Sequence, residues 1–235
     1  MKTESNTYTI IYASIMVLVV ALGLSFTHQA LKDRQTQNEG IDKMQQILSS
    51  LKIDASTDKA ESIYNELITD AYLINIKSGE KKENSSGIQP TDSAFIVNVA
   101  NREGFPVYEA DIEGDKKYII PMNGSGLWGP IWGYMAINSD GNTIYGADFD
   151  HDSETPGLGA EIVYKSFREQ FEGKELFKEG EFKSIAVVKK GRSVSGQDYV
   201  DGISGGTITS KGVDAMLFNS IGDYKNFLEN LSGSK

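Results

Sequence analysis

Apolar and polar positions along this chain change rhythm several times, and each change marks an element. Residues 8–26, "YTIIYASIMVLVVALGLSF", contain no charged side chain. At 1.5 Å rise per residue a helix of that length comes to about 28 Å, close to the ~30 Å of a bilayer core. This predicts a single uncleaved membrane-spanning helix rather than a signal peptide. A signal peptide has a shorter apolar region and a small-residue cleavage site, and no convincing site of that kind follows. Beyond it, Ile41, Met44, Ile47, Leu48 and Leu51 recur at steps of three, four and one, the spacing of one helix face. A second helix is expected over "STDKAESIYNELITDAY", capped by Ser56 or Thr57 with Glu61 near a capping-box position.

From residue 94 the pattern becomes strand-like. "AFIVNVA", "FPVYEADI" and "KKYIIPMN" read as short strands after an exposed polar loop over residues 77–93. "GLWGPIWGYMAINSDGNTIYGADFD" reads as a hairpin turned at "SDGN". "GAEIVYKSFREQFEG" is expected to be a helix burying Ile162, Phe167 and Phe171, and "FKSIAVVKK" a further strand. A last helix is expected from about Thr209 to Leu231, with a break near Gly222. Helices and strands mix without a βαβ rhythm. The expectation is an α+β fold: tail 1–7, transmembrane helix 8–26, juxtamembrane helical segment 27–70, and one mixed α/β domain over 71–235.

Composition narrows the chemistry. The formal net charge is −10. Residues 1–35 hold three basic and two acidic side chains, which leaves twenty basic and thirty-one acidic in the rest. A body of that charge argues against nucleic acid and is repelled by anionic lipid headgroups. Cysteine is absent, which excludes thiolate chemistry and Cys-bound clusters, and only His28 and His151 represent histidine, which argues against a His-rich metal site. Any redox role requires an added cofactor.

Three stretches carry candidate chemistry. "SGGTITS", residues 204–210, places Gly205 and Gly206 before Thr207 and a predicted helix. One reading is a helix cap by Thr209 or Ser210; the other is a phosphate site formed by close backbone approach and a helix N-terminus. It matches neither a P-loop nor a dinucleotide fingerprint. "HDSETPGLGAEI", residues 151–162, reads as a helix entry with Thr155 as cap and Pro156 at the first helical position. Its acidic neighbours Asp148, Asp150, Asp152 and Glu154 lack EF-hand spacing. "GSGLWGPIWGY" holds both tryptophans, Trp128 and Trp132; four residues apart on a strand they would share a face. They would form either a core pair or the lining for a flat aromatic ligand.

Taken together, the anchor, "LWGPIWGY", "ETPGLGAEI" and "SGGT" followed by "ITS" resemble NqrC, the FMN-carrying component of the Na+-translocating NADH:quinone reductase. The related G component of the Rnf complex shares the last motif. The usual form of that motif is S/T-G-A-T, and Gly206 stands here where the family has Ala. The resemblance covers nearly the whole chain and implies an extracytoplasmic FMN-binding domain. It implies FMN joined to Thr207 through a phosphoester by a separate flavin transferase. Ser204, Gly205, Gly206, Thr209 and Ser210 would then surround the phosphate. Leu127, Trp128, Thr155 and Leu158 would contact the flavin ring, and Glu154 and Gly157 would belong to the same cofactor site. It further implies an electron carrier among the six subunits of a complex in the bacterial inner membrane. The soluble domain would be periplasmic, and electrons would pass from NADH to ubiquinone with coupled Na+ export. The alternatives are an Rnf-type component with the same flavin, or an anchored binding or sensor module without cofactor.

Overall fold

In the computed structural model, residues 6–83, 85, 87 and 105–233 are described. Helix α1, Asn6–Ser50, contains an apolar stretch long enough to cross a membrane, none of it buried against protein. The chain divides into two compact units, Met1–Gly40 and Ile41–Lys235. The second unit therefore begins thirty residues before the expected boundary at 71. Residues 41–70 belong to its core: Met44, Ile47, Leu48 and Leu51 on α1 pack with Tyr64, Tyr108, Ile119, Tyr134 and Ala136. That is the face set by the apolar steps in the sequence.

α1 ends at Ser50, and two residues on, Lys52 takes the left-handed backbone usually given to Gly (φ 66°). Its ammonium is held by Glu172 at 2.7 Å and lies 4.6 Å from the Tyr145 ring centroid. Helix α2 spans Ala60–Leu67. No side chain caps it; instead the Ser56 carbonyl accepts from the N–H groups of Lys59 and Ala60. The helix is shorter than the sequence suggested because Ile68–Ile74 turns into strand β1. That strand is made by pairing rather than by its own pattern.

Strands β1, β2 (Phe105–Ile112), β3 (Asp115–Ser125), β4 (Pro130–Asn138) and β5 (Ile144–His151) form an antiparallel sheet in sequential order. The expected strand over 94–100 lies outside the described residues. The β4–β5 hairpin turns where expected. Asp140 accepts from the N–H groups of Asn142 and Thr143, each at 2.8 Å.

Alternation along β4 and β5 sends Tyr134, Ala136, Asp148 and Asp150 toward α1, and Met135, Ile137, Ala147 and Phe149 to the other face. That other face meets helices α4 (Thr207–Asp223) and α5 (Lys225–Gly233) through Val213, Met216, Leu217, Ile221, Phe227 and Leu228. The expected helix over 159–173 is instead a 3-10 turn Gly159–Val163, a single α turn α3 (Lys165–Arg168) and a 3-10 turn Glu169–Phe171. It still buries Ile162, Phe167 and Phe171. Two small sheets complete the unit. One is a hairpin, β6 (Phe177–Lys178) with β7 (Glu181–Phe182). The other is a parallel pair, β8 (Ala186–Val188) with β9 (Tyr199–Asp201).

Candidate functional site

Three loops meet at the start of α4: the turn over 126–129 between β3 and β4, the segment 152–163 after β5, and the loop 202–206. Each is fixed by hydrogen bonds from its backbone N–H groups. Gly126 N–H donates to the Gly129 carbonyl at 2.8 Å, and Asp152 N–H to that of Pro130 at 3.1 Å. Ile203 N–H donates to Ser210 Oγ at 2.9 Å. Gly205 has φ +80°, a conformation that L side chains rarely adopt, and a Cβ there would lie 2.6 Å from Leu158 Cδ2.

Glu154 ties the three together. It is 5 % exposed. Its Oε2 accepts from the Thr209 hydroxyl at 2.6 Å and its Oε1 from Trp128 N–H at 2.8 Å. Burial opposes ionisation of this carboxyl. Hydrogen bonds from Thr209 and from the N–H groups of Trp128 and Leu127 outweigh that and hold its pKa below the ordinary value. Gly159 lets the parts close up: a Cβ there would stand 2.2 Å from Glu154 Oε2 and 2.4 Å from Thr209 Oγ1. Nearby, Gly212 on α4 would bring a Cβ within 2.3 Å of the Ser125 carbonyl. The helix start is thus seated on the β3–β4 turn with no room for a side chain.

Several sequence expectations change here. α4 begins at Thr207, with Gly206 in the N-cap position, so neither Thr209 nor Ser210 caps it. Both are buried inside the first turn, Thr209 committed to Glu154 and Ser210 to Ile203. Thr155 does not cap a helix through its side chain, and Pro156 does not open one. The 3-10 turn starts at Gly159, and the Thr155 carbonyl accepts from Leu158 and Ala160 N–H. Trp128 and Trp132 do not share a strand face. Trp128 sits in the 126–129 turn, 66 % exposed, while Trp132 is on β4 and donates to Gln46 on α1 at 3.2 Å. Among the described residues no cluster of His, Cys, Asp or Glu is arranged to hold a metal ion.

Thr207 is exposed at the first helical position, where the leading N–H groups have no partner within the helix. Ser204, Gly205, Thr155 and Gly157 are also exposed. Leu127, Trp128 and Leu158 present apolar surface at the same junction. Ile208, next to Thr207 in the chain, is also 55 % exposed and was missed in the sequence, where an apolar residue in a helix reads as core. An apolar ledge beside an open helix N-terminus and an exposed hydroxyl suits a flat ring carrying an anionic arm.

The chain has an FMN-binding domain: the family model of that description matches residues 126–222, which contain all three loops. A solved structure of the NqrC component of the Na(+)-translocating NADH-quinone reductase from Parabacteroides distasonis is 56 % identical. It covers 84 % of this chain and 96 % of its own, with a TM-score of 0.78. Shewanella oneidensis NqrC is 26 % identical, with a TM-score of 0.66 and coverage of 84 % and 100 %. The corresponding component of the Vibrio parahaemolyticus enzyme is 32 % identical over 228 residues, 88 % of this chain and 87 % of its own. The chain belongs to the NqrC family of Na+-translocating NADH-quinone reductase components.

Proposed function

We propose that this chain is an electron-carrying subunit of a Na+-translocating NADH-quinone reductase, with FMN joined to Thr207 through a phosphoester. The observation that carries this reading is the position of Thr207. It is the exposed first residue of α4, preceded by Gly205 at positive φ and fixed two residues later through the Thr209–Glu154 bond. In this reading Gly205, Gly206 and the leading N–H groups of α4 face the phosphoryl group, and Leu127, Trp128 and Leu158 offer the apolar ledge for the ring. Glu154 acts through Thr209 and the 126–129 turn and keeps those parts in register. When bound, FMN supplies the electron-transfer chemistry.

No described side chain accepts a hydrogen bond from the Thr207 hydroxyl, and an unassisted hydroxyl is a poor nucleophile. A separate flavin transferase is therefore expected to make the link. The apolar stretch of α1 supports a single pass through a membrane; the bacterial inner membrane and the periplasmic side for the domain rest on the family to which the chain belongs. The other subunits of the complex would supply the NADH, quinone and ion sites.

The test is the intact mass of the detergent-purified full chain, made with and without a co-expressed flavin transferase, alongside Thr207→Ala. The expected result is a gain equal to FMN less one water, present only with the transferase and lost in the variant. No gain with an active transferase would overturn the reading in favour of an anchored module without cofactor.

A further inference from the structure

A second surface borders Thr207, on the side formed by β8 and the loop before α4. The Gly202 N–H donates to the Val188 carbonyl at 2.6 Å. That bond brings the end of β8, and the two lysines that follow it, against the loop that precedes Thr207. Lys211 lies four residues after Thr207 on α4, hence on the same side of the helix. Between them is a cavity of about 390 Å³, bordered by Thr207, Ser204, Lys189, Lys190 and Lys211 over an apolar floor that includes Ile203. This volume falls in the range of small-ligand sites.

The charge of this cavity runs against that of its surroundings. The chain beyond residue 35 holds twenty basic and thirty-one acidic side chains. Yet the ion pairs formed among the described residues use none of these three lysines. The nearest carboxylate on α4, Asp214, is turned to the Val187 N–H at 2.8 Å. Three exposed lysines bordering one cavity give it a local positive charge, to which an anion is complementary.

We infer that this cavity seats the phosphoryl group carried by Thr207, with Lys189, Lys190 and Lys211 as its counter-ions; the inference rests on the phosphoester reading above. The arrangement divides the work around Thr207. The anionic arm lies toward the lysines, and the apolar ledge of Leu127, Trp128 and Leu158 is left for the ring. Charge-assisted contacts to a phosphate are stronger than neutral ones, so the lysines would also limit swinging of the attached group.

Lysine acylation read residue by residue tests this. The full chain in detergent is treated with an acetylating reagent in two forms, one carrying FMN and one Thr207→Ala. An anion held against a lysine keeps its amine protonated and covered. Lys189, Lys190 and Lys211 should therefore react about three- to tenfold more slowly in the FMN-carrying chain. Lys59 and Lys77, exposed and outside the cavity, should react equally in both. Equal rates at the three cavity lysines, in a chain whose mass contains FMN, would overturn the inference and leave the phosphoester reading standing. A chain whose mass lacks FMN would overturn that reading itself. Equal protection of the Thr207→Ala chain by inorganic phosphate alone would assign the cavity to free anions, and so also overturn the inference.

Discussion

The sheet is covered on both faces, and its two coverings are built differently. The end of α1 covers one face with large side chains: Ile47, Leu48 and Leu51 are almost completely buried against Tyr108, Ile119 and Tyr134. At its edge the contact becomes polar. Ser49 donates to Asp148 at 2.7 Å and Gln46 to Asp150 at 2.8 Å, while Arg168 pairs with Asp148. α4 covers the other face with side chains too, Val213, Met216 and Leu217 among them, but its start comes unusually close through glycines. Gly212 meets the Ser125 carbonyl, and Gly124 would bring a Cβ within 2.7 Å of Met216 Cβ. Bulky packing tolerates small shifts and supplies stability. The close backbone approach at Gly212 adds a constraint of position to the apolar burial on its face: it fixes where the helix begins, and here the helix begins at Thr207. Both faces hold the domain together; the second also sets the position of a single hydroxyl.

The largest expected effect is on the first face. Leu48→Ala should lower unfolding free energy by about 2–5 kcal/mol, read in denaturant titrations, because it empties a fully buried site. FMN content per folded molecule should not change. Gly212→Ala should reverse that balance. The new methyl meets a backbone oxygen, which cannot rotate away, so α4 must move at a cost of about 1–3 kcal/mol. FMN content per folded molecule should fall with it. If the two variants lose FMN in proportion to stability alone, the division of labour between the faces is wrong.

Glu154→Gln should cost about 1–2 kcal/mol, since an amide cannot accept at both of its heavy atoms. It also carries a pH signature. The folded pKa of Glu154 lies below its ordinary 4.5. Its contribution is therefore full above that value and is lost as pH falls through the folded pKa. Stability of the variant should accordingly fall less steeply than wild type as pH drops below 4.5, measured by thermal unfolding. The smallest effect on stability is expected for Trp128→Ala, within about 0.5 kcal/mol at so exposed a position. The absorption bands of the bound FMN should nonetheless shift, because its ring loses an apolar neighbour.

Much of the first face was legible in the sequence, because Met44, Ile47, Leu48 and Leu51 obey a helical period that packing preserves. Strands β2 to β5 and their hairpin were legible as short β-prone runs bounded by turn residues. Strand β1 was not: "LITDAY" continues a helical run, and only pairing with β2 makes it extended. The site was legible as three motifs but not as one arrangement. Thr209 and Ser210 have the chemistry of caps, yet their hydroxyls are engaged by Glu154 and Ile203. The Glu154–Thr209 bond spans 55 positions, beyond the reach of any local pattern. Trp128 was paired with Trp132 by spacing, but the bend over 126–129 turns it outward. Lys189 and Lys190 come to Thr207 only through the β8–β9 pairing, which no spacing signals.

The account stands or falls on one atom, the hydroxyl oxygen of Thr207. The most direct measurement is fragmentation mass spectrometry of the peptide spanning residues 193–211, taken from the full chain isolated in its own membranes. That peptide also contains Ser204, Thr209 and Ser210, so it sets the candidates against one another. The predicted result is a mass increment of FMN less one water on Thr207 alone. The same increment on Ser204, Thr209 or Ser210, or an unmodified peptide from flavin-replete cells, would contradict it.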